Sequence, residues 1–329
     1  MVKTVGIPKA LLYYNFYPMW KTFFEGVGAN VIVSQETNKK IVDDGIKSCV
    51  DSACLPVKTY LGHVIDLIEK KVDYIFIPRV VSVEPKKYLC SKFLGLPDFV
   101  KSSIDNLQNI IDAEINLYNG EKAFKKEAIK IGNIFTYDNK KILQSYYNAL
   151  NIQKEFEDIM KRGYTATEAF RILETKKIND KVFTNYDIKI GLLGHSYDIM
   201  DNYISMGIVD RLKNMGVKIY TIEMLSEDQI YYGISKLSKD MFWKYERDIL
   251  GAGLFFLENN YVDGVISVAA FGCGPDSLTE DYLERMYKRK KTIPFMQLTI
   301  DEHTGEAGIL TRIEAFIDLL KYKKRKVVI

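Results

Sequence analysis

Short apolar runs with strand character alternate with helical stretches along the chain, and this alternation occurs twice. The predicted strands lie at 2–8, 29–34, 72–78, 188–194, 217–222, 262–271 and 293–301. Between them, apolar residues recur at helical spacing, as in VKTYLGHVIDLIEKK at 57–71. Because strands that alternate with helices build parallel sheets covered on both faces, the pattern predicts an α/β fold.

The two halves of the chain resemble each other in the type and position of their segments. KKVDYIFIPRV at 70–80 corresponds to NYVDGVISVAA at 260–270. The stretch between the halves shows no convincing strand and is rich in Lys, Glu, Asn and Tyr at helical spacing. We therefore expect two doubly wound parallel-sheet domains, at 1–100 and 186–329, with a helical linking segment at 101–185. Such sheets bind ligands at the carboxyl ends of their strands.

The charge and apolar content of the chain exclude two classes of partner. Its 46 basic and 43 acidic residues give a net charge of only +3, which argues against a broad nucleic-acid surface. No apolar run reaches the roughly 18 residues that a membrane span needs. The first residues, MVKTVGIPKALLYYNF, lack the features of a signal peptide, so we expect a cytoplasmic protein.

Four cysteines are the first candidates for chemistry: Cys49, Cys54, Cys90 and Cys273. In a cytoplasmic chain of this length we do not expect them to form a disulfide framework. Cys54 and Cys273 each stand two residues before a proline, which places them at helix N-termini, and Cys90 follows a predicted strand. Helix N-termini favour anions such as thiolates. We interpret Cys49 as a core residue.

Two glycines, Gly272 and Gly274, flank Cys273 at a predicted strand-to-helix junction. They allow the backbone to approach a bulky group closely and to present its N–H donors to that group. This environment suits a thiolate ligand of a metal cluster, and it equally suits a nucleophilic cysteine. A buried cysteine with a structural role is the third interpretation that the residues leave open.

His195 follows the predicted strand at 188–194 and is the candidate catalytic residue. At a strand's carboxyl end it can donate to a cluster, bind a substrate carbonyl or exchange a proton; the alternative is a loop histidine satisfied locally. His63 lies within a predicted helix and His303 in a loop before one, so we expect structural roles for both. The sequence contains no P-loop, no dinucleotide fingerprint and no GxSxG motif.

Two stretches carry a resemblance to a known family. The first is DSACLPVKTYLGHVIDLIEKKVDYIFIPRVVSVEPKKYLCSKFLGLPD at 51–98, and the second is FGCGPDSL followed by IPFMQLTIDEHTGEAGILTRIEAF within 271–316. The chain resembles the 2-hydroxyacyl-CoA dehydratase superfamily, in the branch of activase-related proteins found at the C-terminus of large CoA-substrate-specific enzyme activases. The resemblance implies Rossmann-like or flavodoxin-like domains. It also implies an iron–sulfur cluster, 4Fe–4S or double-cubane, held by Cys54, Cys90 and Cys273.

The same resemblance implies a function. An ATP-dependent activase would supply low-potential electrons for radical dehydration or reduction, which makes the chain a dehydratase (lyase) or reductase component of anaerobic metabolism. The resemblance does not decide whether the substrate is an acyl-CoA or whether the chain forms a homodimer. The alternative is a non-catalytic scaffold or regulatory subunit that binds an activase or a dehydratase. A zinc or cysteine-nucleophile enzyme is a third interpretation.

Overall fold

The computed structural model describes residues 2–105, 107, 109–178 and 186–327, and the chain divides into two compact units. The first unit comprises Met1–Asp158 and Phe242–Lys244, and the second comprises Ile159–Met241 and Tyr245–Ile329. Each unit contains a parallel sheet with helices around it, which confirms the predicted fold class. The predicted linking segment 101–185 is shared between the units, and its residues 106, 108 and 179–185 lie outside the described residues.

The first unit is built on a four-stranded parallel sheet in the order β2-β1-β3-β5. Its strands are β1 (Thr4–Ile7), β2 (Asn30–Val33), β3 (Tyr74–Phe76), β4 (Arg79–Ser82), β5 (Ile110–Ile111) and β6 (Glu114–Asn116). Its helices are α1 (Tyr13–Val27), α2 (Lys39–Lys47), α3 (Leu55–Glu69), α4 (Ser91–Leu94), α5 (Leu96–Ser103), α6 (Lys122–Gly132) and α7 (Asn139–Lys161), the last ending just beyond the unit boundary. Strands β4 and β6 form a separate parallel pair.

Strands β5 and β6 correct the expectation of a purely helical segment at 101–185. They are two and three residues long, too short to show the period-two alternation that identifies a strand in sequence. Strand β5 pairs with β3, and β6 pairs with β4. Each short strand is therefore stabilised by hydrogen bonds to a strand that is distant in sequence.

The second unit has a four-stranded parallel sheet in the order β10-β9-β7-β8. Its strands are β7 (Ile188–Leu193), β8 (Val217–Tyr220), β9 (Gly264–Ala270) and β10 (Phe295–Ile300). Its helices are α8 (Ala166–Thr175), α9 (Ser196–Met200), α10 (Ile208–Asn214), α11 (Glu227–Ile234), α12 (Lys244–Asn259), α13 (Gly274–Lys290) and α14 (Glu306–Val327).

The sequence MDNYISMGIVDRLKNMG predicts one helix from 200 to 216 that stops at a glycine, and this prediction is wrong in its first half. Helix α9 ends at Met200, and the Asp201 carboxylate then accepts the backbone N–H groups of Tyr203 and Ile204, which forms a turn. Gly207, with a φ of 68°, continues the turn before α10 starts. The side-chain hydrogen bonds of an Asp that follows a helix therefore outweigh an apolar pattern that continues past it.

Both sheets have the same topology, as the sequence similarity of the halves indicates. In each unit the first strand, β1 or β7, pairs on one side with the next strand in sequence, β2 or β8. On its other side it pairs with a later strand, β3 or β9. The pairs β1–β3 and β7–β9 therefore flank the point where the strand order reverses. Ligands of doubly wound sheets bind in the crevice outside the carboxyl ends of such a pair.

The repeat extends to the helices that precede the third strand of each sheet. A Cβ atom on Gly62 of α3 would lie 1.9 Å from the carbonyl oxygen of Ile41 in α2. A Cβ atom on Gly233 of α11 would lie 1.8 Å from the carbonyl oxygen of Gly251 in α12. Each helix pair therefore crosses in direct backbone contact, which only glycine permits.

The core of each unit lies between its sheet and the covering helices. Fully or nearly fully buried side chains include Val5, Ile7, Leu61, Leu67 and Ile75 in the first unit and Ile190, Leu192, Phe256, Val265 and Ile266 in the second. Strand β9 is buried at all seven positions, as expected for a central parallel strand. Among the described residues, none of the helices has an apolar stretch long enough to cross a bilayer.

Candidate functional site

Three of the four cysteines are the N-cap residues of helices. Cys54 precedes α3, Cys90 precedes α4 and Cys273 precedes α13. Proline stands at the start of α3 and α13, which confirms the helix N-termini predicted for Cys54 and Cys273. All four cysteines are partly buried thiols that form no disulfide. Cys54 and Cys90 belong to the first unit and Cys273 to the second, so a ligand set shared by all three stays a prediction.

The fourth cysteine, Cys49, interacts electrostatically with lysines that follow both ligand candidates of the first unit, Cys54 and Cys90. The ammonium groups of Lys58, in the first turns of α3, and of Lys92, in α4, both act electrostatically on its thiol. Burial nevertheless raises the pKa of Cys49, since its thiolate would lose hydration. The neutral thiol is therefore favoured, but the prediction of a core residue is wrong, because Cys49 is only partly buried.

Cys273 stands in a loop that fits a bulky group beside its thiol. The φ of Gly272 is 79°, a left-handed conformation that favours glycine, and a Cβ atom on Gly274 would meet no atom within 4 Å. The Cys273 N–H donates to the carbonyl of Ala270, and its own carbonyl accepts from the N–H and Oγ of Ser277. The loop backbone is thus fixed while one side of it stays open, which suits a thiolate ligand.

His195 lies one residue after Gly194 at the carboxyl end of β7, the strand that pairs with β9. Its Nε2 atom is 3.0 Å from Oδ1 of Asp276 and 3.8 Å from Oε1 of Glu246. The Tyr197 ring stacks on the imidazole at a centroid distance of 4.7 Å. Because β7 and β9 flank the reversal of strand order, His195 lies at the edge of the sheet where doubly wound folds bind ligands, and its catalytic role stays a prediction.

The second unit therefore contains a compact set of three different donors. One donor atom each from His195, Cys273 and Asp276 lies within 4.8 Å of the other two. A nitrogen, a sulfur and a carboxylate oxygen at this separation can hold a single transition-metal ion such as Zn²⁺ or Fe²⁺. The group is a possible metal-binding triad, and Cys273 is also one of the predicted cluster ligands.

Three further buried carboxyl groups surround this triad: Asp198, Glu246 and Glu280. Burial is the main cause that raises the pKa of each, well above the usual range for Asp198 and to about 7 for Glu280. Among the described residues, neither carboxylate oxygen of Asp198 has a hydrogen-bond partner, and the same holds for Oδ2 of Asp276. The protein thus holds several carboxyl groups away from water around one histidine.

His195 is the positive charge within this acidic group. Burial by itself lowers its pKa, but the charge and hydrogen bond of Asp276, together with the charges of Glu246 and Asp198, outweigh burial and raise the pKa to about 9. The imidazole is therefore protonated at neutral pH, and its Nε2–H donates to Asp276. Chemically, this pair can donate a hydrogen bond or a proton to a group bound next to Cys273.

The carboxyl groups of this site were not predicted from the sequence. Asp276 follows Cys273 by three residues, and Asp198 follows His195 by three residues, so each stands in the first turn of its helix. An acidic residue at this position is ordinarily interpreted as helix capping. The repeated spacing is the only sequence signal for them, whereas Glu246 reaches the site from the first turn of α12 and Glu280 from the interior of α13 without such a signal.

Comparison with known proteins supports the resemblance seen in the sequence. A search of curated proteins gives no match. A family model described as "CoA enzyme activase uncharacterised domain (DUF2229)" matches residues 4–225, a range that includes Cys54, Cys90 and His195 and ends before Cys273. The match covers most of the first unit and the first two strands of the second. The chain therefore belongs to this CoA enzyme activase-related family, in keeping with the activase-related branch of the 2-hydroxyacyl-CoA dehydratase superfamily.

Proposed function

We propose that this chain is an iron–sulfur protein that accepts low-potential electrons from a separate ATP-dependent activase. Its ligands are the thiolates of Cys54, Cys90 and Cys273. The observation that supports this most is that each of these cysteines, and not Cys49, is the N-cap of a helix. A helix N-terminus offers backbone N–H donors and a positive dipole end, and both stabilise thiolates and the negative charge of a cluster.

The donor set and its surroundings fit such a group. Thiolates are the ligands that iron–sulfur clusters take, and three of them leave one iron of a cubane for another ligand. When bound, the cluster would supply one-electron chemistry for dehydration or reduction. The open side of Gly274 leaves room beside Cys273, and Gly272 allows the backbone to turn there. The His195 imidazolium would donate a hydrogen bond to an anionic or carbonyl group bound at the cluster.

The sequence contains no P-loop, which fits a protein that receives electrons rather than one that hydrolyses ATP. Membership of a CoA enzyme activase-related family supports an activase as the donor and an acyl-CoA as the substrate class. The chain would then act as a dehydratase (lyase) or reductase component. A non-catalytic scaffold that binds an activase or a dehydratase is the alternative within the same family.

The test is the metal content of anaerobically prepared protein, combined with cysteine substitutions. We expect about four irons per chain, with a cluster signal in EPR after reduction. Cys54→Ala, Cys90→Ala and Cys273→Ala should each remove most of this iron. Cys49→Ala is the matched control and should retain it. Full iron content in any of the first three variants contradicts the ligand assignment.

A second candidate function follows from the triad of His195, Cys273 and Asp276, whose donor atoms are within 4.8 Å of one another. In this case the second unit binds a single zinc or iron ion, as in a metal-dependent enzyme. One metal ion per chain that is lost in His195→Ala and Asp276→Asn, and retained in Cys54→Ala and Cys90→Ala, supports this candidate over the cluster. Metal-free protein that forms a stable complex with an activase supports the scaffold.

A further inference from the structure

The two proposed ligands of the first unit, Cys54 and Cys90, are carried by helices of very different length. Cys54 is the N-cap of α3, which has 15 residues, and its carbonyl accepts the backbone N–H groups of Val57 and Lys58. Cys90 is the N-cap of α4, which has only 4 residues. Because a single helical turn is unstable by itself, contacts with the rest of the unit must fix the backbone that carries Cys90.

On its N-terminal side, the segment around Cys90 is anchored to strand β4. The backbone N–H of Leu89 donates to the carbonyl of Val81 at a distance of 3.0 Å. Leu89 and Phe93 are both nearly fully buried, and the N–H of Phe93 donates to the Cys90 carbonyl. These contacts fix the start of α4 and its buried face, and a different residue contacts its C-terminal end.

That residue is Arg79, the first residue of β4. Its Nη1 atom is 2.9 Å from the carbonyl oxygen of Leu94, the last residue of α4, and 2.8 Å from Oδ2 of Asp98 in α5. Its Nη2 atom is 3.2 Å from Oδ2 of Asp112, which lies between β5 and β6. One guanidinium group therefore joins the end of α4 to three other elements of the first unit.

The chemistry of a guanidinium suits this position. It is planar, always charged and carries five N–H donors in fixed directions, so it can bind two carboxylates and a carbonyl at once. The last carbonyls of a helix have no donor within the helix, and a basic side chain can supply one.

The effect of Arg79 is local. Its side chain is 23% exposed and that of Asp98 is 65% exposed, and ion pairs in contact with water contribute little to the stability of a whole domain. The hydrogen bond from Arg79 nevertheless lowers the pKa of Asp98, so this carboxylate stays charged and keeps the guanidinium in place. Loss of Arg79 should therefore loosen α4 without unfolding the first unit.

We propose that Arg79 is a positioning residue, which holds the one-turn helix α4 so that the thiolate of Cys90 can bind the cluster. This inference rests on the proposed function, because it takes Cys90 as a cluster ligand. Cys54 does not depend on Arg79 in this way, since α3 is long and its first turn is closed by its own hydrogen bonds. Loss of Arg79 should weaken one ligand of the first unit and leave the other in place.

Hydrogen exchange of the iron-free, full-length chain tests the positioning directly. In Arg79→Gln we expect the α4 peptide, which contains the hydrogen-bonded N–H groups of Phe93 and Gly95, to exchange about tenfold faster, because a hydrogen bond from a charged donor is lost. The peptide at the start of α3 should be unchanged. Lys101→Gln is the matched control: it removes another cation, 3.0 Å from the same Asp112 carboxylate, and should leave both peptides unchanged.

Iron release from anaerobically prepared protein is the second measurement. A chelator should remove iron about tenfold faster from Arg79→Gln than from the unmodified chain. Arg79→Lys, which keeps the charge but not the planar set of donors, should give an intermediate rate. Lys101→Gln should match the unmodified chain. Asp98→Asn removes a partner of Arg79 at an exposed position, so it should fold and should change both measurements less, in the same direction.

Each result supports or overturns a defined part of the proposal. Unchanged exchange of α4 in folded Arg79→Gln, or in Asp98→Asn if the first variant does not fold, would overturn the positioning role. Equal acceleration in α3 would show a general loss of stability and would overturn it as well. Faster exchange with unchanged iron release would overturn the link to the cluster. If the unmodified chain holds no iron, the cluster proposal fails, whereas the exchange rates still decide whether Arg79 fixes the segment of Cys90.

Discussion

The two units share one sheet topology but bury a histidine in opposite ways. In the first unit, His63 of α3 contacts two hydroxyl groups, with Ser34 Oγ 2.8 Å from Nδ1 and Thr37 Oγ1 3.0 Å from Nε2. Burial lowers its pKa to about 3, although the charge of Asp66 opposes this shift. In the second unit, His195 contacts carboxylates, and its pKa rises to about 9.

Both imidazoles are almost completely removed from water, so burial does not decide their charge. The partners decide it, because a hydroxyl can satisfy a neutral imidazole whereas a buried carboxylate stabilises the imidazolium. The first unit thus uses its histidine as a neutral structural bridge, as predicted for His63. The second uses the same residue type to balance an acidic group next to Cys273. A fold repeated within one chain therefore does not repeat its chemistry.

The largest expected effect on stability comes from replacing each of the two histidines by alanine. In metal-free protein, His195→Ala should lower the free energy of unfolding of the second unit by about 3–5 kcal/mol, because it removes the counter-charge and the hydrogen-bond donor of the buried Asp276. His63→Ala is the matched control and should cost about 1–3 kcal/mol, since it leaves only two hydroxyl groups without their imidazole partner. Hydrogen exchange of peptides from β7 and β3, measured by mass spectrometry, reports each unit. Equal costs would contradict the contrast drawn above.

The second prediction is that pH affects the two units in opposite directions. Between pH 6.5 and 3 the unfolded chain binds a proton at His63 that the folded first unit does not bind. The stability of the first unit therefore falls as the pH is lowered, by about 3 kcal/mol at pH 4. For His195 the folded state binds the extra proton. Its contribution is complete below pH 6.5 and is lost as pH rises through 9.

Urea unfolding as a function of pH tests this with tryptophan fluorescence, because Trp20 and Trp243 both belong to the first unit. His63→Gln, which cannot titrate, should flatten the acid side of that profile. Hydrogen exchange of β7 and β9 peptides should show the alkaline loss in the second unit. An acid profile that is the same in His63→Gln and in the unmodified chain would show that His63 is not the titrating group.

The third prediction concerns what the units have in common. Gly62→Ala and Gly233→Ala should each lower the free energy of unfolding by about 1–3 kcal/mol, because the added methyl group would meet a backbone carbonyl that cannot rotate away. Thermal unfolding followed by circular dichroism measures the effect. If one substitution is tolerated and the other is not, the helix crossing is not equivalent in the two units.

The smallest expected effect is an increase in the free energy of unfolding. Gly308 lies in α14, and a Cβ atom there would meet no atom within 4 Å. Gly308→Ala should therefore stabilise the second unit by about 0.5–1 kcal/mol, since alanine loses less backbone entropy in a helix. The same thermal unfolding experiment detects this, and a loss of stability would show that this face of α14 is in contact with other groups.

Sequence patterns predicted much of this architecture. The run VISVAA before Phe271 has no polar residue but Ser267, and it forms a central strand because only a strand covered on both faces can bury such a run. Prolines two residues after Cys54 and Cys273 located two helix starts, because proline is compatible with the first turn of a helix. Local chemistry and periodicity determine these features, so they can be predicted from the sequence without knowledge of the tertiary structure.

The acidic surroundings of His195 could not be predicted in this way. Asp198, Glu246, Asp276 and Glu280 come from three different helices, and each is unremarkable among its sequence neighbours. The sequence by itself determined the longer strands of the two sheets, the parallel α/β class, the repeat of the halves and the positions of Cys54 and Cys273 at helix starts. Only the tertiary structure decided which charges meet out of water, because burial and electrostatics depend on residues that are distant in the chain and adjacent in the fold.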